Sequence, residues 1–249
     1  MNLKILGSSS KGNCYLLQGK RETLIIEAGI PFKDIKKGLD FDLSKVVGCL
    51  VTHEHKDHCK GVDDVLHAGI EVWATTKTHG AMRTGESRRA RFLYTEGSSV
   101  RIGEFEVRPF SIQHDAVDPV GFLIHHPECG VVLFATDTYY LKYKFRGLNN
   151  IIIEANYCED VLNEREEAGT GNQYVSDRVR RSHMSIQNCE KALLANDLSA
   201  VNNIVLIHLS DSNSDEKRFK ERIEKVTGKT VHVADAGMSI NFDKTPFEL

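Results

Sequence analysis

The sequence predicts a layered α/β or α+β protein with a high strand content. Short runs rich in Val, Ile and Phe recur along its 249 residues, most of them four to seven residues long and bounded by Gly, Asp or Asn. Helical periodicities interleave with these runs, which is the pattern of sheets covered by helices. No linker, fixed-period repeat or low-complexity block interrupts the chain, so residues 1–249 read as a single domain.

In chain order the strand runs are "LKIL", "CYLLQ", "TLIIEAG", "VGCLVT", "EVWA", "FEVRPFSI", "GFLIHH", "VVLFATD", "NIIIEAN", "NIVLIHLS", "TVHVA" and "SINF". The first helical pattern, "PFKDIKKGL", opens on a proline, which suits a first turn where no N–H is needed. "CKGVDDVLHAG" stops at a glycine. The polar stretch "LNEREEAGTGNQYVSDRVRR" reads as a mobile loop or a helix pair covering something. "SIQNCEKALLAND" offers Ser185 as an N-cap and apolar spacing at Ile186, Cys189, Ala192 and Leu193. "SDEKRFKERIEKVTG" ends at Gly228, a natural helix terminator.

Composition narrows the class. With 41% hydrophobic and 27% charged residues, disordered and collagen-like classes are excluded. The net charge of −3 means that any nucleic-acid contact must be local or carried by bound cations. No apolar run approaches the roughly 20 residues of a membrane span, and the first residues lack a signal-peptide core. Six scattered cysteines without C-x-x-C spacing read as reduced, buried thiols of a cytoplasmic protein. Cys59, beside His58, reads as one of these rather than as a metal ligand. "MRTGESRRAR" reads as a solvated face, with phosphate contact by Arg83, Arg88, Arg89 and Arg91 as the alternative.

The chemistry concentrates in "VTHEHKDHC", where His53, His55, Asp57 and His58 fall within six positions. Imidazole and carboxylate are the ligands that suit zinc, manganese and iron. His53 and His55, two apart on an extended segment, point the same way. Asp57 and His58 follow on a turn that can face a second ion. Three later apolar runs each end in a ligand-type residue: "FSIQHD" at His114, "VVLFATD" at Asp137 and "NIVLIHLS" at His208. "IHHPEC" reads as a surface hairpin tip. "TGKT" at 227–230 is no phosphate-binding loop, because the glycine required five positions before Gly228 is Ile223.

An H-x-H-x-D-H motif followed by His, Asp and His at strand ends resembles the metallo-β-lactamase superfamily along the whole chain. The resemblance implies a four-layer αββα sandwich with two divalent metal ions (zinc, manganese or iron) along one edge. It implies one ion on His53, His55 and His114, a second on Asp57, His58 and His208, and Asp137 bridging. "ILGSSSKGNCYLL", "ATDT", "IIIEANY", "RVRRSHMS" and "HLSDSNS" are similar to the YycJ/WalJ-type branch, single-domain metal-dependent nucleases related to tRNase Z. Three departures stand out: "IIEAG", with Glu27, where Asp-Ala-Gly is common; "SHMS" where Gly-His-Leu-Ser is expected; and "EANYC" where Glu-Ala-Asn-His-Asp is expected. The short gap between His114 and Asp137 leaves no room for a long tRNase Z arm, nor that between Asp137 and His208 for an inserted β-CASP domain.

The implied activity is phosphodiester hydrolysis on nucleic acid, DNA favoured over RNA, with 5′-exonuclease character. Two ions lower the pKa of water and neutralise phosphate charge. By the same resemblance His183 is the proton donor, Glu154 orients it, and Asp57 counts among the catalytic groups; a helix-capping histidine is the plainer alternative for His183. The "GSSSKGN" loop reads equally as a phosphate cradle or a tight hairpin. A hydrolase of small esters, lactones, thioesters or cyclic phosphodiesters is the runner-up, and a non-catalytic metal-binding scaffold the rival from another class.

Overall fold

The computed structural model describes residues 1–95, 99–170, 172–210 and 212–245. Gly171 of the polar stretch and Asp211 of "HLSDSNS" lie outside the described residues. The chain begins β1 (Asn2–Ser9), β2 (Gly12–Gln18), β3 (Thr23–Ile26), α1 (Phe32–Gly38), β4 (Val46–Leu50), α2 (Lys56–Cys59) and α3 (Val62–His67). It continues β5 (Val72–Thr75), α4 (Thr76–Met82), β6 (Ala90–Leu93), β7 (Val100–Ile102), β8 (Phe105–Ser111), β9 (Val120–His126) and β10 (Gly130–Ala135). Then follow β11 (Leu148–Glu154), α5 (Glu159–Glu167), α6 (Gln173–Ser182), α7 (Ile186–Leu194), β12 (Asn203–Ile207), α8 (Glu216–Thr227), β13 (Thr230–Val233) and β14 (Ser239–Asn241).

The strands form two seven-stranded sheets, ordered β14-β1-β2-β3-β4-β5-β6 and β13-β12-β11-β10-β9-β8-β7. Each is half antiparallel and half parallel: pairing is parallel from β3 to β6 in one sheet and from β10 to β13 in the other. Alternate residues of β1 to β3 (Leu3, Ile5, Tyr15, Leu17, Leu24, Ile26) meet Phe122, Phe134, Ile152 and Val205 of the facing sheet in one apolar core. The intervening Leu16 and Ile25 face outward onto Ile35 of α1 and Val62 and Val65 of α3. On the other side Ile151, Ile153, Ile204 and Leu206 pack on α7 and α8 through Ile186, Cys189, Phe219 and Ile223. The result is the expected αββα layering. Burial on both faces explains why "NIIIE" and "NIVLI" read as unbroken apolar runs.

The sequence reading missed β6, β7 and α4. The two strands are the outer edges of their sheets and carry arginines among short apolar runs, so their alternation is weak. α4 has no sustained apolar stripe; it is fixed by its cap, where the Thr75 side chain accepts from the Thr78 N–H. The polar stretch is the helix pair α5 and α6. "GSSSKGN" is a hairpin, since β1 and β2 pair out to Ser9 and Gly12. His126 is no surface turn residue: it is buried at the end of β9, its ring 4.5 Å from that of Phe105. All six cysteines are free and buried. Among the described residues no helix is long and apolar enough to cross a membrane.

One close approach positions the site. The segment after β3 is laced to α2: the Ala28 N–H donates to the His58 carbonyl (2.9 Å) and the Gly61 N–H to the Ala28 carbonyl (2.7 Å). A Cβ on Gly29 would lie 1.7 Å from the Asp57 carbonyl oxygen, so no side chain fits there. Gly29→Ala is therefore expected to push α2 outward, destabilise the fold by about 1–3 kcal/mol and reduce bound metal. Thermal unfolding together with elemental analysis checks this; an unchanged midpoint with full metal content would show that the contact is not limiting.

Candidate metal centre

The sites the sequence singled out all arrive at one edge of the sandwich. His53 and His55 lie on the loop leaving β4, and His55 is the N-cap of α2. Asp57 and His58 sit on α2 itself, a four-residue helix and not a turn. His114 lies beyond β8, Asp137 beyond β10, and His208 directly after β12. Glu154 is the last residue of β11, and His183 caps the C-terminus of α6. Two of these positions, together with their neighbour Glu27, need an unusual backbone: Glu27, Asp137 and His208 have φ of 64°, 47° and 56°. Left-handed non-glycine residues cost roughly 1–3 kcal/mol each and persist only where surrounding packing enforces them.

Two donor clusters share one carboxylate. His53, His55, His114 and Asp137 place one ligand atom each within 4.8 Å of one another, and so do Asp57, His58, Asp137 and His208. His55 Nδ1 is 3.1 Å from His114 Nε2, and Asp137 Oδ2 is 3.5 Å from both His53 Nε2 and His114 Nε2. A tetrahedral ion with ligand bonds of about 2.0–2.1 Å separates its ligands by roughly 3.3 Å, the middle of these distances. On the other side Asp137 Oδ2 is 3.0 Å from His58 Nε2, which is 3.3 Å from Asp57 Oδ2; His208 Nε2 is 3.4 Å from the same Asp57 oxygen. His53 Nε2 is buried with no hydrogen-bond partner among the described residues, as a nitrogen reserved for a cation would be. The donor sets thus fit divalent metal binding.

The opposite ring nitrogens are tied down. His114 Nδ1–H donates to the Ser182 carbonyl (2.8 Å), which leaves its Nε2 lone pair free for metal. Thr52 Oγ1 lies 2.9 Å from His53 Nδ1. Glu27, fully buried, approaches His58 Nδ1 at 3.6 Å while accepting from the Thr52 N–H at 3.3 Å. The longer side chain thus still faces the imidazole, from a left-handed backbone. The reading of the sequence missed Asn13: its buried amide donates to the Asp57 carbonyl (3.2 Å) and lies 3.2 Å from His58 Nε2. It also missed Asn156, whose amide donates to the His208 carbonyl at 2.7 Å. Neither asparagine sits in a ligand-spacing pattern, so only the fold reveals them. Cys59 belongs to neither cluster; its thiol donates to the Glu54 carbonyl (3.0 Å), and burial pushes it up to about 11.

The charges are mutually dependent. Burial alone would raise the Asp137 carboxyl, but the imidazoles of His208, His58 and His53 hold it well below the usual carboxylate range. Burial opposes protonation of His208 as well, yet Asp137, Asp57 and Glu154 push it up to about 10. His58 is likewise driven well upward, against burial, by Asp137 and Glu27. Burial dominates at His53 and His114 and keeps both imidazoles low, in the neutral form a metal requires. A divalent cation bound here would replace the protons held at the remaining rings, so the cluster would trade proton charge for metal charge.

A cleft of about 520 Å³ opens over the clusters, with His55, Asp57, His114, Asp137, His183 and His208 in its floor and walls. α6 forms its lip through Tyr174, Val175, Arg178 and Val179. His183 Nδ1 is 2.7 Å from Glu154 Oε1, and Glu154 Oε2 accepts from the Thr138 and Met184 N–H groups (2.9 and 3.1 Å). Burial works against a charged His183, but the Glu154 carboxylate outweighs it and raises the imidazole. Of the basic residues at 178–181, Arg178 faces the cleft, whereas Arg180 is occupied by Glu166, Glu159 and Asn163. The arginine-rich run at 83–91 is largely exposed between α4 and the edge strand β6, and Arg91, on that strand, is paired with Glu71.

An αββα sandwich with a His/Asp cluster at its strand ends defines a class of metal-dependent hydrolases. A family model described as a beta-lactamase superfamily domain matches residues 33–209, which span every ligand position, and the chain belongs to that superfamily. The exodeoxyribonuclease WalJ of Streptococcus pneumoniae (serotype 2, strain D39 / NCTC 7466) is 26% identical over 256 residues, covering 96% of this chain and 91% of its own. The exodeoxyribonuclease YycJ of Bacillus anthracis is 26% identical over 239 residues, 91% of this chain and 89% of its own. The metallo-β-lactamase fold protein YhfI of Bacillus subtilis superposes with a TM-score of 0.70 at 14% identity, over 96% of this chain and 99% of that one.

Asp137 is the only residue common to both clusters. Asp137→Ala is expected to lose more metal per chain than any single histidine variant, as read by elemental analysis after gel filtration. Wild-type metal content in that variant would remove the carboxylate from the shared position.

Proposed function

We propose that the chain is a dinuclear-metal-dependent phosphodiester hydrolase acting on nucleic acid, a DNA 5′-exonuclease. The observation that carries this reading is a histidine held by a buried carboxylate at the wall of the metal cleft: His183 on Glu154, with the imidazole stacked 5.3 Å from that of His208. Near full-length similarity to two proteins named exodeoxyribonucleases supports DNA as the substrate.

His53, His55 and His114 would hold one ion, Asp57, His58 and His208 the other, with Asp137 between them. When bound, two zinc, manganese or iron ions supply positive charge for the phosphate oxygens and lower the pKa of water at the cluster. Glu154 accepts the His183 Nδ1 proton, which fixes the ring and directs Nε2 into the cleft. From there His183 delivers a proton to the oxygen leaving phosphorus. Arg178, 71% exposed and only loosely paired with Asp115 (3.4 Å), is free to meet an entering phosphate. α6 narrows the cleft and limits water around the reacting group.

End-labelled DNA and RNA, each with a 5′-phosphate or a 5′-hydroxyl and with manganese or zinc, test the substrate. Progressive loss of nucleotides from the 5′ end of DNA is expected. Turnover of a lactone panel with none of oligonucleotides or bis-p-nitrophenyl phosphate would overturn the reading.

His183→Ala is expected to lower kcat by roughly 10²–10⁴-fold with metal content unchanged. The defect should shrink on p-nitrophenyl phosphodiesters, whose leaving group departs without a proton. Glu154→Gln should follow the same pattern more weakly. Loss of metal in His183→Ala, or equal slowing of both leaving-group classes, would make His183 a ligand or a substrate clamp instead.

A further inference from the structure

The chain leaves Asp137 in an irregular, exposed segment of uncommon composition, residues 138–147: Thr-Tyr-Tyr-Leu-Lys-Tyr-Lys-Phe-Arg-Gly. Aromatic and cationic side chains alternate along it. We propose that residues 139–146, together with Arg108, form a track for single-stranded nucleic acid leading away from the metal centre. The proposal rests on the nuclease reading above and adds where the strand runs.

The segment is anchored although it has no regular secondary structure. At its start the Thr138 N–H donates to Glu154, the Thr138 hydroxyl donates to the Tyr140 carbonyl (2.9 Å), and the Asn188 amide donates to the Tyr139 carbonyl (3.1 Å). Leu141 is buried, and at the far end the Phe145 N–H donates to Asn196 Oδ1 at 2.6 Å. Its beginning is thus fixed to the same carboxylate that holds His183, so the strip is continuous with the reacting centre. Nine residues from Asp137 to Arg146 reach at most about 32 Å.

The outward side chains leave much of their surface open. Tyr139, Tyr140 and Tyr143 are 39, 54 and 36% exposed. Tyr143 is braced edge-on by Phe110 (5.7 Å) and lies under the Lys142 ammonium (5.0 Å from the ring centre). Among the described residues none of Arg108, Lys142, Lys144 and Arg146 pairs with a carboxylate, in a chain with net charge −3. A merely solvated loop has no reason to expose three tyrosines beside three cations. Stacking platforms interleaved with backbone-tracking cations are how unpaired strands are held without regard to sequence. Arg108, Phe110, Tyr143, Lys144 and Arg146 also line a cleft of about 420 Å³, and among the described residues no carboxylate lines it. Bases in an intact duplex are stacked on one another, which is why the occupant is a single strand.

The test reads binding separately from cleavage. A 3′-fluorescein single strand of roughly 12 phosphorothioate nucleotides is titrated onto the metal-loaded protein by anisotropy at several salt concentrations. Lys142→Ala/Lys144→Ala/Arg146→Ala should weaken binding at least about tenfold and flatten the log–log salt slope by about 2, as the loss of three phosphate contacts requires. Tyr143→Ala should weaken binding roughly 5- to 150-fold, and Tyr143→Phe, which keeps the ring, should bind as wild type. Turnover of bis-p-nitrophenyl phosphate should stay unchanged in all of them, because that ester spans no further than the metal cleft. Unchanged affinity and slope in the variants, when the wild type cleaves DNA, would overturn the track alone. Strip-dependent binding without cleavage would support the track and remove the exonuclease reading. Equal strip dependence for polyglutamate would overturn it in favour of an acidic protein partner.

Discussion

The architecture turns on one buried carboxylate. Asp137 Oδ2 lies within 3.0–3.5 Å of ring nitrogens of His58, His53 and His114, and its Oδ1 lies 3.5 Å from His208. Those imidazoles come from three separate chain segments, so the carboxylate can be surrounded only if several strands end at one edge at the same height. A sandwich packed on both faces of both sheets achieves this, since strand register is fixed wherever both faces are buried. The same core compensates for the left-handed backbones of Asp137, His208 and Glu27, which a looser scaffold would relax.

Glu154 extends the constraint outward. One oxygen holds His183, and the other accepts two backbone N–H groups, those of Thr138 and Met184. Thr138 follows Asp137 directly and Met184 follows His183, so one fully buried carboxylate sets the spacing between the shared ligand and the residue at the cleft wall. An error of about 1 Å there would matter to the proposed role of His183, because proton transfer needs donor and acceptor within about 2.6–3.2 Å. Asn13 does similar work on the opposite side, linking the β1–β2 hairpin to α2 through Asp57 and His58.

The chain is slightly acidic and carries the carboxylates of Asp57 and Asp137 in its cleft, a poor surface for a polyanion unless cations are supplied locally. Metal ions held at the cluster, Arg178 on the lip and the cationic strip after Asp137 would be such local supplies under the proposed function. Their distribution is uneven: Arg180 is consumed in bracing α6 onto α5, and the arginines around β6 lie on the far edge. Counting basic residues along the chain therefore says little about where a phosphate would bind.

By itself the sequence determined the layered class, all the strands but the edge strands β6 and β7, and the group of His and Asp residues that meet at the edge. These were legible because buried strands leave apolar runs, and because H-x-H-x-D-H concentrates ligand types within a few positions. The tertiary structure decided the rest. It replaced a turn with a short helix under Asp57 and His58, buried His126, and resolved the small-residue loop as a hairpin. It brought Asn13, Asn156 and the aromatic strip into the reckoning, residues whose roles lie in contacts across 44, 52 or 25 positions of chain. Local pattern records what a residue is and which face it prefers. Which neighbour it meets is set by strand order and register, and those exist only once the two sheets have packed.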